Sequence, residues 1–227
     1  MTEAEWLACD HSMPMLRFLD GKGGERKLRL FALGCCRRIE QLLPDSRCRK
    51  AIDLVDAFAE AKTERRDLRI AEGAAEYYRD HPMELPEDRL IVAGAGAIFQ
   101  LSQDLPSFRL VAEAASDAVE CSILAAGGNQ LAATEGKRNE SATQIKLLRC
   151  IIGNPFRPVT LDLSWQTANV VALAQGIYAD RAFDRLPILA DALEDAGCTE
   201  RAILDHCRQP GEHVRGCWVV DLVLGKS

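Results

Sequence analysis

The chain of 227 residues is 48% hydrophobic and carries a formal net charge of −6. It can bury a sizeable core, its acidic surface disfavours binding to nucleic acid, and no apolar run is long enough to span a bilayer. The acidic N-terminus differs from a signal peptide, so we expect a cytoplasmic protein whose nine cysteines are free thiols or metal ligands rather than disulfides.

Helix signals recur through the first half of the chain. Thr2 and Glu5 form a capping box, Pro14 opens a second helix, and apolar residues at helical spacing predict an amphipathic helix at 26–43. Ser46 caps the next helix. Two prolines at 81–86 predict a connector, which we interpret as a boundary between two lobes.

The second half continues in the same way after a polar interruption. We expect helices at 86–100 and 108–126, a flexible loop at 127–141 where no apolar period is present, and a helix at 142–152. Ser164, Asp184 and Thr199 each cap a further helix. The nearly apolar final segment predicts a buried C-terminal helix, with a short strand at 217–221 as the alternative.

Together these signals predict an all-α fold. We expect one compact multi-helical domain, residues 1–227, with roughly ten helices packed around a shared core.

Potential metal ligands are densest near the C-terminus. They are Cys198, His206, Cys207, His213 and Cys217. Their spacing, with seven, zero, five and three intervening residues, matches no standard zinc pattern, although His213 and Cys217 would share one helix face at i, i+4. We therefore expect no cofactor and interpret these residues as buried thiols and hydrogen-bonded histidines. Zinc binding, or a cysteine nucleophile activated by a neighbouring histidine, is the alternative.

A basic stretch and a buried charge are the remaining candidate features. The basic residues that we single out are Arg26, Lys27, Arg29, Arg37 and Arg38. They predict a solvated face that pairs with acidic helices, with phosphate or nucleic-acid binding as the alternative. Asp221 lies in the most apolar segment, where an unpaired carboxylate is costly, and we expect an ion pair with Arg157.

Several sequence stretches resemble a large family of bacterial proteins that is greatly multiplied in planctomycetes. They are residues 1–7 (MTEAEWL), 26–32 (RKLRLFA), 35–39 (CCRRI), 153–158 (GNPFRP), 182–193 (AFDRLPILADAL) and 213–218 (HVRGCW). The family has no established activity, so the resemblance implies no catalytic residue, cofactor or partner. The family pattern has a cysteine, an aromatic residue and a histidine at the positions held here by Leu33, Glu40 and Gln41. This departure argues against a metal centre at the N-terminal cysteines.

By elimination, we interpret the protein as a helical protein-interaction or regulatory module without catalytic activity. Its expected partner is another protein, and neither nucleic acid nor a membrane is expected. A metal- or thiol-dependent enzyme using the C-terminal Cys/His residues is the first alternative, and phosphate or nucleic-acid binding through residues 26–50 is the second.

Overall fold

Helices dominate the structure of this chain. The computed structural model describes residues 1–42, 46–69, 73, 86–103 and 107–226. No strand occurs among these residues, which confirms the all-α prediction. Within the same ranges, no helix combines the length and the hydropathy that a membrane span requires.

The described α-helices follow one another along the chain. They are α1 (Glu3–Ala8), α2 (Ser12–Leu19), α3 (Glu25–Ile39), α4 (Ser46–Ala59), α5 (Pro86–Ser102), α6 (Phe108–Ala125), α7 (Gln130–Ile152), α8 (Ala168–Asp180), α9 (Leu186–Asp195), α10 (Arg201–Arg208) and α11 (Trp218–Leu224). Short 3₁₀ turns occupy Glu40–Leu42, Leu163–Trp165 and Phe183–Arg185, and residues 65–69 are also helical.

The chain divides into two compact units. The C-terminal unit comprises Met1–Ala8 and Lys146–Ser227, and the central unit comprises Cys9–Ile145. The predicted lobe boundary at 81–86 falls almost entirely on residues 81–85, which lie outside the described residues.

Helix α1 belongs to the C-terminal unit because polar contacts tie it to residues more than 140 positions away. The capping box is present, with Thr2 N donating to Glu5 Oε2 at 2.7 Å and Glu5 N donating to Thr2 Oγ1 at 3.2 Å. The Arg149 guanidinium donates to the backbone oxygens of Trp6 and Leu7 at 3.0 and 2.8 Å. These bonds satisfy carbonyls that a helix end leaves without intrahelical partners.

Helices α8 to α11 enclose the core of the C-terminal unit. Leucines on one face of α9, including Leu189 and Leu193, are fully buried with Val219 and Val220 of α11. The final segment is therefore a buried helix, as predicted. The alternative of a strand at 217–221 was wrong, because Trp218–Leu224 is helical and Gly225 ends the helix in the left-handed conformation.

Helix α3 is at the centre of the central unit and packs against α4, α5 and α6. Phe31, Cys35 and Ile39 are fully buried at helical spacing, which confirms the amphipathic helix predicted there.

Helix α7 replaces the loop that we predicted at 127–141. It begins at Gln130 after Asn129, whose side chain accepts a hydrogen bond from Ala132 N at 2.9 Å. Glu140, Ser141 and Gln144 are buried on α7 while Leu131 is 78% exposed, so the buried positions between residues 130 and 144 are mostly polar. A hydropathy pattern cannot reveal such a helix, because that pattern assumes an apolar buried face.

Candidate metal centre

Four side chains of the C-terminal unit converge on one point. Cys150, His206, His213 and Cys217 each offer one ligand atom, and the four atoms lie within 4.8 Å of one another. The cluster combines two thiol sulfurs with two imidazole nitrogens, which is a common ligand set of structural zinc sites.

Each ligand comes from a different local element of the C-terminal unit. Cys150 lies in the last turn of α7, His206 lies in α10, His213 lies in the following loop, and Cys217 is the N-cap residue of α11. A turn in which Cys217 N donates to Val214 O at 2.9 Å brings the last two ligands together. The convergence is therefore a property of the tertiary fold.

Two distances within the cluster match those of a tetrahedral site. His206 Nε2 lies 3.2 Å from Cys217 Sγ, and His213 Nδ1 lies 3.5 Å from Cys150 Sγ. With zinc bonds of about 2.3 Å to sulfur and about 2.0 Å to nitrogen, neighbouring ligand atoms of a tetrahedron are about 3.3–3.8 Å apart. The widest pair needs to close by only about 1–1.5 Å to reach that geometry.

The cluster is shielded from solvent. Cys150 is 2% exposed, Cys217 is fully buried and His206 is 7% exposed. His213 is half-buried, and the His206 and His213 rings meet edge to face with their centroids 4.8 Å apart. Buried polar groups of this kind require partners, and here they have one another.

Local interactions shift the pKa values of the two thiols in opposite directions. The hydrogen bond to Cys217 and then burial raise the pKa of Cys150 well above 9.0. Burial would raise the pKa of Cys217 too, but hydrogen bonds from Cys150, His206 and His213 hold it well below 9.0. Burial lowers the pKa of His213, yet the hydrogen bond and the negative charge of Cys217 raise it above 6.5. The pocket thus favours a negative charge on Cys217.

Two neighbouring residues support the histidines. The Trp218 ring centroid lies 5.2 Å from that of His206. Gly153 has a φ of +72°, and a Cβ at this position would approach Trp218 Cγ to 3.2 Å. The glycine at the end of α7 therefore allows the close approach of the tryptophan that packs on His206.

Three of the five potential ligands identified in the sequence belong to the cluster, and two do not. Cys198 and Cys207 are buried in the apolar core of the same unit. Burial raises the pKa of both thiols. These two cysteines behave as small core residues, in line with the interpretation of the group as buried thiols.

Sequence reasoning missed Cys150, which is separated from His206 by 55 residues. The only local signal was its position in the last turn of a helix that ends at Gly153. The predicted helix shared by His213 and Cys217 was also wrong, because both residues precede α11 and the turn between them brings them together.

The basic residues of α3 are largely paired with carboxylates. Arg26 contacts Glu60 at 3.2 Å, Arg37 contacts Asp53 at 2.6 Å, and Arg38 contacts Glu140 at 3.0 Å. Arg29 is 1% exposed and is held by Glu25 at 2.8 Å and by Leu101 O at 3.0 Å. Lys27 has interactions of its own. The segment therefore pairs with acidic residues, as the first interpretation predicted. It is not the solvated face that we expected, because Arg29 is buried and the other three arginines are partly buried.

Arg157 has a partner other than the one that we predicted. Its Nε lies 2.6 Å from Glu3 Oε1, and its side chain is 77% exposed. Asp221 is 1% exposed in the first turn of α11 and has interactions of its own. The Arg157 contact instead joins α1 to the loop that follows α7.

Chemically, the cluster can hold a borderline-soft divalent cation. Four protein ligands complete a tetrahedron and leave no position for a substrate or a reactive water. No family model matches the chain, and no curated protein or solved structure matches it either.

Proposed function

We propose that the C-terminal unit is a non-catalytic helical module that is stabilised by one structural zinc ion. The observation that carries this proposal is the convergence of Cys150, His206, His213 and Cys217, with four ligand atoms within 4.8 Å. A module of this kind acts through its surface, and its expected partner is another protein.

The chemistry of the ligands favours zinc over other cations. Calcium and magnesium prefer oxygen ligands, whereas thiolate with imidazole suits zinc. A catalytic zinc site keeps one open position, and this cluster offers four protein ligands instead. The proposed role is therefore structural.

The sequence separation of the ligands indicates what zinc would stabilise. Cys150 is on α7, and the other three ligands occupy only twelve consecutive residues from His206 to Cys217. A bound ion would connect the end of α7 to α10 and to the beginning of α11. Such a link closes a long loop, and the closure favours the folded state because it restricts the unfolded chain.

Cobalt titration of the apoprotein tests the proposal directly. Co²⁺ takes the place of zinc in tetrahedral thiolate sites and gives strong visible absorption there. We expect saturation at one Co²⁺ per chain, and we expect zinc to displace it.

Two alanine variants make the test specific. Cys150→Ala should lose most of the visible absorption, whereas Cys198→Ala removes a buried thiol of the same unit outside the cluster and should keep it. Absence of tetrahedral cobalt absorption from the wild-type protein would refute the proposal. Equal spectra for the two variants would refute the assignment of Cys150 as a ligand.

A further inference from the structure

One residue contacts both histidines of the cluster on the side away from the thiols. The Gln209 amide nitrogen lies 3.1 Å from His206 Nδ1, and the Gln209 backbone oxygen lies 3.5 Å from His213 Nε2. Histidine ligands of metals usually donate their second N–H to such a partner, which fixes the ring orientation and the tautomer.

The position of Gln209 follows from the local sequence. It is the C-cap residue of α10, with Gln209 N donating to Asp205 O at 2.9 Å and with a ψ of 140°. Pro210 follows it, and the residue before a proline is disfavoured in the helical conformation. The proline therefore ends α10 at this point and leaves Gln209 extended, with its carbonyl near His213.

His213 presents one ring nitrogen to the cluster and the other to Gln209. Its Nδ1 lies 3.5 Å from Cys150 Sγ, and its Nε2 lies 3.5 Å from the Gln209 carbonyl oxygen, which can only accept a hydrogen bond. A metal ion on Nδ1 leaves the ring proton on Nε2, where that carbonyl accepts it.

His206 divides its two ring nitrogens in the same way. Its Nε2 lies 3.2 Å from Cys217 Sγ within the cluster, and its Nδ1 lies 3.1 Å from the Gln209 side-chain amide. A metal ion on Nε2 leaves the ring proton on Nδ1, which then needs an acceptor, and the amide oxygen of Gln209 is the acceptor within reach.

We propose that Gln209 positions both histidine ligands: its backbone oxygen accepts from His213 Nε2–H, and its side-chain Oε1 accepts from His206 Nδ1–H in the metal-bound protein. The two ends of a glutamine amide have nearly the same shape, so Oε1 can face the ring without displacing neighbours. The inference rests on the proposed zinc function, and it assigns to Gln209 two acceptor roles, one from the backbone and one from the side chain.

Substitutions at this exposed position test the inference without disturbing the core. Gln209→Glu keeps an acceptor and should retain or increase zinc affinity. Gln209→Leu removes it and should weaken zinc binding about ten-fold. That is the lower end of the ten- to hundred-fold losses typical of such partners, because water can replace the exposed amide. Affinities are measured by chelator competition, at two salt concentrations to separate long-range charge effects.

The tautomer of His206 provides a readout that a purely structural role would not change. Long-range ¹H–¹⁵N spectra should show the His206 ring proton on Nδ1 in the zinc-bound protein. A zinc-bound His206 without Nδ1–H, or wild-type affinity in Gln209→Leu, would overturn the assignment of Gln209. Failure of the wild-type protein to bind zinc would instead refute the proposed function, so the two failures are distinguishable.

Discussion

Cys150→Ala should abolish most of the zinc-dependent stability of the protein. A ligand that binds only the folded state stabilises it by RT ln(1 + [L]/Kd), which is about 4 kcal/mol when free zinc is 1,000-fold above the Kd. If the loss of one ligand weakens zinc binding about 1,000-fold, the same zinc concentration adds only about 0.4 kcal/mol to the folding stability of the variant. The side-chain deletion itself costs about 0.5–1.5 kcal/mol, as for one methyl-sized group.

The matched control is Cys198→Ala, which removes another buried thiol of the C-terminal unit. It should show the same packing cost and keep the full zinc-dependent contribution. Urea unfolding followed by tryptophan fluorescence, with free zinc buffered in one series and chelated in the other, measures both quantities. The reasoning would be refuted if zinc stabilised the two variants equally, because Cys150 would then be an ordinary core thiol.

Three further predictions concern other parts of the structure. Gly153→Ala should lower the free energy of unfolding by about 1–2 kcal/mol, which urea unfolding measures. The φ of Gly153 is +72°, and the new Cβ would lie only 3.2 Å from Trp218 Cγ. At neutral pH, iodoacetamide should label Cys36 far more slowly in the folded protein than in the denatured protein, because burial raises the pKa of this thiol to about 12. Fast labelling of Cys36 in the folded protein would contradict its burial. Gln144→Ala should lower the free energy of unfolding, measured with heat or urea, by about 1–3 kcal/mol. The reason is that the Gln144 amide donates to Ala112 O at 2.8 Å and accepts from Ser12 Oγ at 2.9 Å. An unchanged stability would argue against this buried network.

Much of the fold could be predicted from local sequence signals. The amphipathic pattern of α3, the capping box at Thr2 and the apolar C-terminal segment all depend on neighbours within a few residues, and the structure has each of them. Residues 130–141 could not be recognised as helical from hydropathy, because the buried face of α7 carries polar side chains such as Glu140. Polar partners there come from distant helices, which a periodicity analysis does not include.

The candidate site was only partly predictable for a similar reason. His206, His213 and Cys217 are close in sequence and were identified as one group. Their spacing argued against zinc because the fourth ligand was sought among nearby cysteines. Cys150 is brought to the cluster by the packing of the C-terminal unit, and only tertiary structure distinguishes it from Cys207, which is buried elsewhere in the same core.

The metal content of the purified protein tests the central claim most directly. Protein that has been equilibrated with zinc and then desalted should contain one zinc ion per chain by elemental analysis. His213→Ala should contain far less under the same conditions, while Cys198→Ala should again contain one. A wild-type protein without bound metal, or one zinc ion per chain in His213→Ala, would contradict the account.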